Sequence, residues 1–204
     1  MPASARWWAW FGLVGIIAYV GIDVVLAVLR PDYGLVVDAE SNYGRGAYSW
    51  LMNINFVVRG ILSACALVAL LRADIATPRT GMLVGIWAVT STLLAFFPVN
   101  VEGYPVLGTG RAHLLLAGIG FVAIVVGVFG MTLQIRREGR WPRGVPALLA
   151  LAIVGLGSLV LLPASGVLGA VGLVERIFLA AVLGWLALVL AWIVRSAPRQ
   201  LARS

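Results

Sequence analysis

Asp23, Arg59, His113, Glu175 and Arg176 lie inside or at the edge of apolar runs of this chain. Between them they offer an imidazole that can act as a general base, carboxylates, and guanidinium groups able to grip an anion bidentately. A charged side chain at the centre of a bilayer costs roughly 2.5–3.5 kcal/mol on insertion scales, so such groups are kept where they pair or meet a ligand. Asn55, Arg59 and Ser63 recur every four residues and so share one helix face, with Met52 and Phe56 beside it. A polar stripe on a lipid-embedded helix should face the bundle interior or a wet cavity. Arg59 there needs an anion: the carboxylate of Asp23 or Glu175, or a phosphate or carboxylate from a ligand. Glu175 and Arg176 are adjacent, project about 100° apart, and cannot serve as each other's partner.

Plainer roles compete with these. Asp23 and Arg59 can form a buried ion pair that fixes helix register. Arg176 and Arg111 can snorkel to headgroups, and His113 can be an interfacial histidine satisfied by loop carbonyls. The ligand reading rests on co-location more than on any single residue.

The elements that must position these groups follow from composition. The chain of 204 residues is 62% hydrophobic and 11% charged, with a mean hydropathy of +1.02, whereas soluble domains carry about 25% charged residues. Its apolar runs are about 20 residues long, which at about 1.5 Å per residue matches a hydrocarbon core of about 30 Å. They lack the alternation of barrel strands, so the spans should be helices. The expectation is an all-α integral membrane six-helix bundle, one domain over residues 1–204, with spans at about 8–29, 51–71, 81–99, 112–134, 146–163 and 173–194. The first run exceeds a signal-peptide core and follows Arg6 and the belt Trp7, Trp8 and Trp10, so it should stay as an anchor.

All fifteen basic residues are arginine and the net charge is +7. In a soluble protein that would suggest nucleic acid; here topology accounts for it better. With the N-terminus cytoplasmic, the inside segments hold Arg6, Arg72, Arg79, Arg136, Arg137, Arg140, Arg143, Arg195, Arg199 and Arg203, and the outside segments hold Arg30, Arg45 and Arg111. That bias places both termini in the cytoplasm of a cell-membrane protein. The five ionisable groups then all fall in the outer half, with Asp23 about 10 Å and Arg59 about 12 Å from the outer helix ends. Asp32, Asp38, Glu40 and Glu102 make the external surface mildly acidic. The long loop over residues 30–50 reads as ordered or interfacial, a length that often carries function.

A single Cys and a single His exclude an intrachain disulfide, a multi-cysteine metal site and a three-histidine zinc site, and no cofactor is expected. Thr90, Ser91 and Thr92 suit helix-to-helix hydrogen bonding. Gly108 to His113 mimics part of a dinucleotide fingerprint but lacks the third Gly and the preceding strand. Leu62-Ser63-Ala64-Cys65 looks like a lipoprotein cleavage box in the wrong place.

The same residues carry a family resemblance. Pro31-Asp32-Tyr33, Met52-Asn53-Ile54-Asn55-Phe56 running to Arg59-Gly60, Phe97-Pro98, Gly110 with His113, and Glu175-Arg176 together resemble the bacterial six-span family called domain of unknown function 998. The resemblance implies the six-span fold and a polar external site, and no established activity. The family pattern usually reads Phe-Pro-x-Asp, where this chain has Phe97-Pro98-Val99-Asn100. An amide has no charge and no useful pKa, so Asn100 can line or hydrogen-bond but cannot act as a base.

Three functions follow. The first is binding or transport of an anionic amphiphile or lipid headgroup in an outward-facing polar pocket lined by Asp23, Asn55, Arg59, Asn100, His113, Glu175 and Arg176. The second is a membrane-embedded lipid hydrolase with His113 as base, helped by Glu175 or Glu102; it lacks a G-x-S-x-G nucleophile motif, and whether the chain is an enzyme stays open. The third is a structural or accessory membrane protein whose charges pair internally. Membrane lipids are the expected partners, nucleic acid is not, and assembly with further copies is left open.

Overall fold

The computed structural model describes residues 1–100 and 108–196. Among the described residues there are six α-helices and no strand: α1 Ala3–Leu29, α2 Ser49–Arg72, α3 Pro78–Leu93, α4 Gly108–Arg137, α5 Val145–Ser165 and α6 Val171–Arg195. All six are long and apolar enough to cross a membrane. Glu102, Arg199 and Arg203 lie outside the described residues.

Each expected span overlaps one of these helices, most of which run a few residues beyond it, as α1 does from Ala3 and α4 over Gly108–Arg137; two ends are instructive. The third apolar run reaches residue 99, but α3 stops at Leu93 and tightens into a 3₁₀ turn, Leu94–Phe96, ahead of Pro98, which can neither donate a backbone bond nor leave its predecessor helical. Leu162-Pro163, read as ending the fifth span, sits inside a helix that continues to Ser165. There the Ser165 hydroxyl donates to the Leu162 carbonyl at 2.7 Å, satisfying a terminal acceptor. At the other end of α3, Thr77 and Thr80 form a reciprocal capping box with Pro78 in the first turn, which fixes where that helix starts.

The helices pack as a ring in chain order, closed by α1 against α6, and both α2 and α4 also reach α6. α6 and α2 are the most enclosed, while α1 turns most of its surface outward, including Ile17 and Val28. Close approach depends on glycine. A Cβ at Gly60 would overlap Thr92 and the Ala88 carbonyl, so Gly60 lets α2 and α3 touch beside Arg59.

The loop joining α1 to α2 folds back over one end of the bundle. Its root is held by Arg30, whose guanidinium pairs with Asp32 at 2.8 Å and donates to the carbonyls of Arg45 and Ala47. A 3₁₀ turn, Glu40–Gly44, presses Glu40 and Tyr43 into the protein. From α6, the Leu173 amide donates to the Val36 carbonyl at 3.0 Å, and Arg176 Nη1 donates to the carbonyls of Leu35 and Asp38 at 2.9 Å each. Gly172 makes this seat: a Cβ there would overlap the Asp38 carbonyl.

Candidate functional site

Beneath that loop lies a cavity of about 300 Å³. Its walls are mostly apolar, with Phe56, Leu94, Phe121 and Leu162 among them, and its polar lining is Arg59, His113, Glu175 and Ser41. A larger groove of about 690 Å³ between α2 and α3 has no titratable side chain in its lining.

Arg59 comes from the middle of α2 and is only 2% exposed. Its Nε donates to the Ser91 hydroxyl at 3.2 Å and its Nη1 to the Tyr19 hydroxyl at 3.3 Å. The guanidinium carbon lies 4.9 Å from the Trp87 ring centre and 5.2 Å from that of Phe56, contacts that contribute up to about 2 kcal/mol when desolvated. The carboxylate partner expected from Asp23 or Glu175 is not in contact. Among the described residues, ion pairs within 4.0 Å are made by Arg30 with Asp32 and Arg140 with Glu138. A buried cation held by hydroxyls and aromatic faces keeps a strong field for an anion that approaches through the cavity.

His113 starts one turn into α4. Its Nδ1 meets the Phe97 carbonyl at 2.7 Å and its ring packs edge-on against Phe56 at 5.9 Å. Assigning the proton to Nδ1 leaves Nε2 as an acceptor. Glu175 Oε2 accepts the Glu40 backbone N–H at 2.7 Å. The Glu40 side chain in turn accepts from the Tyr19 hydroxyl at 2.5 Å. Burial first, then the Asp23 carboxylate, push Glu40 up to about 8, against the downward pull of Arg59.

Residues 13–192 match the family described as Protein of unknown function (DUF998). The chain belongs to that family. No curated protein and no solved structure matches it. Several residues behind the DUF998 resemblance turn out to fasten the loop end of the bundle. Asp32 and Tyr33 brace Arg30, the Tyr33 ring centre lying 4.4 Å from its guanidinium; Phe97 orients His113; Glu175 and Arg176 hold the α1–α2 loop from two sides of α6. This DUF998 chain thus has six helices able to cross a membrane and one elaborated end.

Of the residues singled out from sequence, the structure brings Arg59, His113 and Glu175 into one cavity lining. The others lie around it. Asp23 is half-buried, with Oδ1 unpartnered among the described residues. Asn55 is fully buried one turn from Arg59, and both its amide atoms lack a partner among the described residues. Ser63 has turned its hydroxyl to the Arg59 carbonyl at 2.7 Å. Arg176 points to the loop, its guanidinium 5.8 Å from the Tyr43 ring centre. The Asn100 side chain lies against Gly110, and its carbonyl accepts from Arg45.

Tyr19, Glu40, Ser41 and Trp87 were missed. Tyr19 precedes Asp23 by four residues and so shares its helix face, a signal the sequence did contain. Glu40 and Ser41 sit in a loop, where no periodicity reports burial. Ser91, expected to bond between helices, does so to Arg59 itself.

Proposed function

We propose that this multi-pass membrane protein binds an anionic amphiphile, with a phosphate or carboxylate against Arg59 and an apolar portion along Phe56, Phe121 and Leu162, and that it moves or presents that molecule at the outer leaflet of the cell membrane. The observation that carries the reading is Arg59: a buried guanidinium on a cavity of about 300 Å³, with no carboxylate within 4.0 Å among the described residues. The volume is at the small end of ligand pockets, which suits a headgroup and the start of a chain. The arginine asymmetry between the two ends of the helices favours termini in the cytoplasm, and the cavity then opens outward.

The test is thermal stabilisation of the purified full chain by short-chain phosphatidylglycerol, compared with phosphatidylcholine of the same chain length. The affinity for the anionic lipid read from that stabilisation should weaken about tenfold or more in Arg59→Gln, the worth of a charge-assisted hydrogen bond. Equal stabilisation of both proteins sinks the reading.

A second reading is hydrolysis. His113, fixed through Nδ1 and with Nε2 left as an acceptor, lines the cavity together with Ser41 and Glu175, and imidazole has a suitable basicity. It requires lipid turnover by the purified protein that is lost in His113→Ala.

A further inference from the structure

The cover of the cavity is itself ionisable. Ala39 and Ser41, on either side of Glu40, line the cavity, and Glu40 ties this stretch down twice: its side chain to Tyr19 of α1 and its backbone to Glu175 of α6. The surrounding charges can be named from every element packed on it. Asp23 and Tyr19 face Glu40 from α1, Arg59 from α2 and Glu175 from α6. Arg176 lies beside Tyr43 of the same loop, and His113 of α4 stands on the cavity wall, anchored to a carbonyl and packed on Phe56.

With Asp23, Glu40 and Glu175 all ionised, three carboxylates meet the two guanidiniums of Arg59 and Arg176, and the closed loop buries one net negative charge. A proton on Glu40 removes that excess. It keeps both ties, because a protonated carboxyl retains an oxygen to accept from Tyr19 and the backbone tie does not use the side chain. An anion placed against Arg59 adds a further negative charge and strengthens the demand for that proton.

We propose that the α1–α2 loop is a lid whose closure over the cavity requires a proton on Glu40, so that an anion bound at Arg59 is taken up together with that proton. The second half rests on the anion-binding reading of the cavity; the first does not. The value of about 8 for Glu40 puts the change near neutral pH: the lid is closed and Glu40 neutral below it, and the lid is loosened above it as Glu40 ionises.

The experiment uses the full chain in detergent with its buried Cys65 replaced by Ala. Ser41→Cys reports the covered face and Val37→Cys, at a position 54% exposed on the same loop, the uncovered one. The ratio of their maleimide labelling rates cancels the thiol's own titration. It should rise about tenfold from about pH 6 to about pH 9, and Glu40→Gln should hold it low throughout. A ratio that is flat with Glu40 present, or that rises equally in Glu40→Gln, overturns the lid. Should Ser41→Cys fail to fold, hydrogen exchange over residues 36–44, corrected for intrinsic rate, carries the same expectation: protection lost at high pH with Glu40 and kept with Gln.

The coupled half is read with short-chain phosphatidylglycerol and a pH indicator in weak buffer. About half a proton should be taken up per lipid bound at about pH 8, rising towards one at about pH 9, and none in Glu40→Gln. Binding without proton uptake overturns the coupling and leaves the anion reading intact. No binding, with labelling still pH-dependent, sinks the anion reading and leaves the lid intact.

Discussion

The Tyr19 hydroxyl stands between Glu40 and Arg59, donating to the carboxyl at 2.5 Å and accepting from the guanidinium at 3.3 Å. One phenol therefore joins the first helix, the loop that covers the bundle and the most buried cation among the described residues. Through Glu40 the chain of bonds continues to Glu175 on α6, so the cavity walls and its cover share a single polar frame.

Tyr19→Phe removes the donor to Glu40 and the acceptor for Arg59 while keeping the ring. Two buried polar groups lose a partner, which should lower stability by about 1–3 kcal/mol. Thermal denaturation in detergent measures it. An unchanged midpoint would mean that water replaces the phenol at no loss.

Glu40 also gives the protein a pH dependence with a definite sign. Its folded value of about 8 lies above the ordinary glutamate value of 4.5, so the folded state binds more protons than the unfolded one between those limits. Stability is full below about pH 4.5 and falls as pH rises towards about 8, by at most about 1.4 kcal/mol per unit. Glu40→Gln should flatten that part of the profile, measured as denaturation midpoint against pH. A wild-type profile that rises over the same window contradicts the assignment.

The helices were legible because lipid imposes a length and an apolar content on any helix that crosses it, and both are visible one residue at a time. The inward face of α2 was legible for a related reason: a cation in an apolar run must point away from lipid, and Arg59 is indeed buried. Its partners were not. Charge pairing suggested Asp23 or Glu175, whereas Ser91, Tyr19 and the Trp87 ring surround it, groups whose polar use no pattern announces. Glu40 was least visible of all. It looked like one more surface acid, and its burial at 2% exposure depends on Gly172 and Arg176, some 130 residues away.

Asn55 is a sharp probe of that hidden polarity. Its side chain is fully buried with neither amide atom partnered among the described residues. Asn55→Leu should therefore be neutral or stabilise the protein by about 1–2 kcal/mol, since an unpaired buried amide is costly and an apolar group of similar volume is not. A clear loss of stability in the denaturation midpoint would instead show that the amide holds an ordered water or a ligand.

Gly172 carries the seat of the lid. Gly172→Ala puts a methyl group against the Asp38 carbonyl, and the loop must lift or α6 must shift, at about 1–3 kcal/mol. Labelling of Ser41→Cys should then be fast even at low pH, while Val37→Cys reacts as before. Slow labelling in Gly172→Ala would mean that the loop adjusts in place.

The side of the membrane on which the cavity opens is decided by two exposed positions at opposite helix ends. Val37 lies on the α1–α2 loop and Arg143 on the turn between α4 and α5. If the arginine-rich end faces the cytoplasm, as loop charge dictates for most membrane proteins, a membrane-impermeant maleimide should modify Val37→Cys in intact cells and Arg143→Cys only after permeabilisation. The reverse pattern would turn the cavity inward and assign its anion to the cytoplasmic leaflet. The Arg59 and Glu40 chemistry would be unchanged, but the proton taken up with the anion would then come from the cell interior.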